Sequence, residues 1–108
     1  MQLKNRLDKK DILDYITEIK PVFLQKGIRI VGLFGSFAKE DDNIYSDIDI
    51  AIKKNKNAFK NSNVYEYFEI INEVRSSIQK KFGRNVDIFD MDSISPFKES
   101  ISKELINI

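Results

Sequence analysis

Apolar positions near the start of the chain recur at helical spacing. Ile12, Leu13, Ile16, Ile19, Phe23 and Leu24 follow a period close to 3.6 and predict a helix over Asp8 to Lys26. Asp8 is placed to cap this helix and Gly27 to stop it. Pro21 falls inside the pattern, where it lacks a donor and collides with the preceding turn, so a kink or break is expected there. Ile28 to Phe34 (IRIVGLF) then reads as a buried, β-branched strand. Gly35-Ser36 punctuates its end, and Lys39 to Tyr45 is polar and loop-like. Ser46 to Lys53 alternates, with Asp47, Asp49 and Ala51 on one face and Ile48, Ile50 and Ile52 on the other, the signature of a second strand. After a polar connection, Val64, Tyr67, Phe68, Ile71, Val74 and Ile78 mark a long amphipathic helix that Gly83 ends. Asn85 to Asp90 (NVDIFD) is a third strand, and Ile94, Phe97, Ile101, Leu105 and Ile108 return to helical spacing.

The order α-β-β-α-β-α predicts an α+β (α/β) fold, a small mixed sheet with helices packed on it. At 108 residues the whole chain, 1–108, is expected to be one domain. The apolar stripe over about 93–108 either closes the domain's own core or forms a partner-binding face. Tyr65, Tyr67, Phe68 and Ile71 are expected in the core rather than on a base-stacking surface.

Composition narrows the chemistry. There is no cysteine and no histidine, which excludes disulfides, thiolate or imidazole metal sites, a cysteine nucleophile and a histidine base. Catalysis must run on carboxylates, hydroxyls, amines, backbone amides and a hard cation such as Mg²⁺. A net charge of +1 gives no support to nucleic-acid binding through bulk charge. The run Lys53, Lys54, Lys56 and Lys60 is expected to be a solvated loop. The first residues do not resemble a signal peptide and no apolar run has membrane-spanning length, so a cytoplasmic protein without membrane contact is expected.

The chemical signal lies between Gly35-Ser36 and Asp47-Ile48-Asp49. Side chains at i and i+2 of a strand share a face, which sets Asp47 and Asp49 roughly 6–7 Å apart. Two like charges there repel unless a cation lies between them. Asp87, between Val86 and Ile88, repeats the apolar-Asp-apolar pattern and is the best third carboxylate, with Asp90 as its competitor. Three carboxylates suit a two-metal site for phosphoryl or nucleotidyl transfer. Gly35 lets backbone approach a ligand closely, and a short helix from Ser36 would aim amides at an anion. With ten Asp in the chain, about one Asp-x-Asp arises by chance, so the pair alone reads as a solvated edge-strand feature. The combination carries the information.

That combination, in GLFGSFAKEDDNIYSDIDIAI and NVDIFD, resembles the nucleotidyltransferase fold of the DNA polymerase β superfamily. Within it the match is to the minimal nucleotidyltransferases (MNT or MntA-type), over roughly Ile12 to Asp90. The resemblance implies that Asp47, Asp49 and Asp87 are the catalytic, Mg²⁺-binding triad. It implies that Gly35 and Ser36, with Lys39 beside them, hold the phosphates of ATP or another NTP. The implied reaction is attack of an acceptor hydroxyl on the α-phosphate with release of pyrophosphate. The acceptor is a protein tyrosine, an RNA 3′ end or a small molecule. Many members pair with a HEPN-domain protein as its antitoxin, and some transfer AMP to a tyrosine of that partner. The resemblance leaves room for a protein that neutralises such a partner by masking it, or for a subunit that needs the partner for activity. One departure stands out: Lys39-Glu40 replaces the family's usual Arg-Gly, which keeps a charge but loses the planar fork.

Overall fold

The computed structural model describes residues 7–55, 59 and 64–108. Helix α1 (Lys9–Gln25) begins at a reciprocal cap: the Asp11 amide donates to Asp8 Oδ1 at 3.0 Å and the Asp8 amide to Asp11 Oδ2 at 3.4 Å. The expected break at Pro21 is absent, and α1 runs through it. Pro21 faces solvent, while Ile16, Ile19 and Phe23 on either side are buried. Packing of that stripe offsets the one lost ladder bond.

Strand β1 (Ile28–Phe34) leads into the five-residue helix α2 (Gly35–Lys39), and β2 is Ile48–Lys54. Strand β2 therefore starts two residues later than the alternation suggested, and Asp47 sits just before it. Lys53 and Lys54 end that strand, exposed, rather than lying in a loop; Lys56 and Lys60 lie outside the described residues. Helix α3 is Val64–Phe82 and β3 is Val86–Asp90. The C-terminal stripe is not one helix. It divides into α4 (Lys98–Glu104) and a short strand β4 (Ile106–Asn107), with Ile94 and Phe97 exposed ahead of α4. Pairing to β1 captures the last residues: Gly32 lies opposite Asn107, Leu33 opposite Ile106, and the Ile108 amide donates to Val31 O at 2.9 Å.

The sheet order is β3-β2-β1-β4. Strands β2 and β3 are parallel and joined through α3, while β1 is antiparallel to both its neighbours. Ile28, Ile30, Leu33, Ile48, Ile50 and Ile52 pack one face against α1 and α3. Val31 and Ala51 on the other face meet Ile101 of α4, with Leu105 against them.

A bulge in β1 between Ile30 and Gly32 adds Val31 to one strand only. It shifts parity, so Leu33 rather than Gly32 faces the helices and Phe34 pairs opposite Asp49. Gly32 is required by close approach, since a Cβ there would stand 2.0 Å from the Ile106 carbonyl oxygen.

Candidate active site

Alternation along β2 buries Ile48 and Ile50 fully and turns Asp49 to the opposite face. Parallel pairing sets Asp49 directly beside Asp87 of β3. Protonated Asp49 is placed to donate to Asp87. Burial, then the charges of Asp87 and Asp47, then that hydrogen bond, and last the Glu104 charge push the Asp49 carboxyl up to about 6. Asp47 and Asp49 are half-buried, and Asp87 is exposed. Asp90 is not an equivalent third carboxylate. It accepts the Tyr67 hydroxyl hydrogen bond at the far end of β3, and burial, then that bond, raises the Tyr67 pKa.

Gly35 closes the other side of the site. Its φ is +76°, and a Cβ would fall 2.1 Å from Asp49 Oδ2. Only glycine satisfies both the left-handed backbone and that contact. Phe37, fully buried, anchors α2 behind the turn, and Ser36 is half-buried. At the end of α2, Glu40 takes φ 61° and its carboxylate reaches Lys9 at 3.4 Å. Lys39, exposed, pairs instead with Glu104 at 3.5 Å.

Two residues that sequence reasoning missed complete the arrangement. Glu104, at the end of α4, accepts the Gly35 amide at 3.2 Å through one oxygen and pairs with Lys39 through the other. Its only sequence signal is a lone acid beside Leu105 in an apolar stripe. Arg84, in the α3–β3 turn, donates from Nη1 to Ser46 O at 2.9 Å and to Asn43 O at 3.2 Å. Nothing local in the sequence marked it.

The site thus brings Gly35, Ser36, Asp47, Asp49, Asp87 and Lys39 to one end of the sheet. Among the described residues, no group of three acidic side chains is drawn together tightly enough to be a ready-made metal cage. The donor set is all-oxygen and suits a hard divalent cation. The Asp49 pKa is raised first by burial and then by the charges of Asp87 and Asp47, and a bound cation would offset both. Tyr65 and Phe68, expected in the core, are 73% and 54% exposed. Phe68 lines a groove of about 520 Å³ between α3 and β3 with Tyr67, Ile71 and Ile88, away from Asp47, Asp49 and Asp87.

Residues 17–108 match the family described as "Polymerase beta, Nucleotidyltransferase". The chain belongs to that family and is a nucleotidyltransferase of the polymerase β type. Its relatives include two candidate protein adenylyltransferases of Methanocaldococcus jannaschii. MJ0435 is 26% identical, covering 86% of this chain and 97% of its own length. MJ1379 is 32% identical, covering 75% of this chain and 77% of its own. The fold is that of a solved candidate minimal nucleotidyltransferase, with TM-score 0.70 and 17% identity over 97% of this chain and all of that one. Among the described residues no helix is long and apolar enough to cross a membrane.

Proposed function

We propose that this protein transfers AMP from ATP to a hydroxyl of an acceptor protein and releases pyrophosphate. The observation that carries the reading is the Asp49–Asp87 carboxyl pair set against the Gly35 turn. Transfer to protein, and of AMP, is supported by what the two archaeal relatives are named for.

Asp47, Asp49 and Asp87 would hold Mg²⁺, whose chemistry there is to neutralise the phosphates and acidify the acceptor hydroxyl. Gly35, Ser36 and Lys39 orient the β- and γ-phosphates, which requires Glu104 to release the Gly35 amide and Lys39. The acceptor oxygen forms a bond to the α-phosphorus as the bond to the bridging oxygen of pyrophosphate breaks. Asp87, exposed at the mouth, takes the hydroxyl proton. Positioning and charge neutralisation supply most of the rate.

The biological setting we propose is that of a cytoplasmic, single-domain antitoxin acting on a HEPN-domain partner. Exposed apolar side chains at Val64, Tyr65 and Phe68, and at Ile94 and Phe97, are consistent with a partner-binding surface. A second reading has one observation in its favour. Lys39 and the Gly35 amide are already satisfied by Glu104, so the chain could neutralise its partner by masking alone.

Label transfer separates the two. The protein is incubated with α-labelled ATP, Mg²⁺ and the product of a neighbouring reading frame, beside the Asp47→Asn/Asp49→Asn double variant. Label on one protein band, lost in the variant, is the expected result. No label, with partner neutralisation intact in both, would instead establish masking.

A further inference from the structure

We infer that Arg84 is a positioning residue that fixes Asp47 relative to Asp49 and Asp87. The inference rests on the metal-binding reading of those three carboxylates. Asp47 lies just outside β2 and is tied to the sheet on its C-terminal side, where the Ile48 amide donates to Asn85 O at 2.9 Å. It hangs from the turn Asn43–Ser46, which has its own bonds: Ser46 N to Asn43 O at 3.1 Å, Asn43 N to Ser46 Oγ at 2.9 Å and Tyr45 N to Asn43 Oδ1 at 2.8 Å. These shape the turn without tying it to the sheet.

Arg84 supplies the tie on the N-terminal side of Asp47. Its Nη1 donates to the carbonyls at both ends of that turn, and Ser46 O belongs to the peptide that leads into Asp47. Its guanidinium also lies over the Phe37 ring, 5.5 Å from the centroid. Phe37 follows Ser36 and is fully buried, so Arg84 rests on the α2 segment that carries the Gly-Ser turn. The next residue continues the connection, because Asn85 O accepts the Ile48 amide at 2.9 Å. Two residues further lies Asp87, paired with Asp49. One side chain therefore joins the three segments bearing Ser36, Asp47 and Asp87. Its action runs through backbone carbonyls and a ring face, not through contact with a nucleotide. A lysine would keep the charge but lose the flat face that rests on Phe37.

The test measures binding of Mn²⁺ to the full chain by electron paramagnetic resonance of the free ion, with the melting temperature of each variant recorded. Arg84→Ala is expected to weaken Mn²⁺ binding by about 10- to 100-fold, the usual cost of losing a group that orients ligands. Arg84→Lys is expected to fall between it and wild type, and it decides the matter if Arg84→Ala does not fold. Ile78→Val, in the core of α3, lowers stability without touching this network and is expected to keep wild-type affinity. Wild-type affinity in both Arg84 variants, or an equal loss in Ile78→Val, would overturn the inference while leaving the carboxylate site standing. No Mn²⁺ binding by the wild-type protein would overturn the metal reading and this inference with it.

Discussion

Asp49 stands where its surroundings disfavour its charge. Its carboxyl is raised to about 6 from an ordinary 3.8, chiefly by burial and by Asp87. Between those values the folded state binds the proton more tightly than the unfolded chain does. Stability from this group is therefore full below pH 4 and is lost as pH rises through 6. Asp49→Asn removes that loss. In EDTA, the variant's melting temperature is expected to exceed wild type's at pH 7 and to approach it near pH 4. The margin at pH 7 is about 1 kcal/mol, reduced from the full shift because the group is only half-buried. The same variant is expected to lose label transfer, so stability and function oppose one another here. Much of this site was legible residue by residue. Gly-Ser, Asp-x-Asp and the later Asp are local patterns, and the fold brings them together. Glu104 and Arg84 were not legible, because an acid in an apolar stripe and an arginine after a glycine have no local meaning. Their roles come from what stands across from them.

Helix α1 shows where a local rule yields to packing. Proline inside a helix predicts interruption, yet the stripe Ile16, Ile19 and Phe23 holds both sides of Pro21 on the sheet. The missing donor lies at an exposed position. Pro21→Ala is expected to stabilise the protein by about 1–3 kcal/mol, restoring an amide and removing a clash, which a urea melt would measure. The C-terminal stripe shows the reverse error. Ile94 to Ile108 has helical spacing, but only Lys98–Glu104 is helix. Phe97 ends outside it, and Ile106 and Asn107 are taken by β1. Apolar spacing over short stretches fits either period, and the free edge of β1 beside Gly32 decides in favour of a strand.

For the molecule as a whole, the carboxylates and the exposed aromatic side chains of α3 lie on different faces of the sheet. The carboxylates open beside α2 and α4, while Tyr65 and Phe68 sit out on α3. If that surface docks a partner, Tyr65→Ser/Phe68→Ser is expected to leave the melting temperature within a degree or two, as substitutions at exposed positions do. Partner binding in a pull-down is expected to fall at least tenfold. Equal capture of the partner by wild type and variant would exclude this face. The sequence by itself determined the long helices, the three longer strands, the buried isoleucines of β2 and a chemistry without thiol or imidazole groups. These follow from periodicity and composition, which involve neighbours a few residues apart. Only the tertiary structure decided that Asp87 lies in register with Asp49, that β4 adds an edge strand to β1, that Glu104 occupies the Gly35 amide and Lys39, and that Arg84 holds the turn before Asp47. Strand order and register join residues far apart in the chain, and their free energy resides in contacts that no local pattern contains.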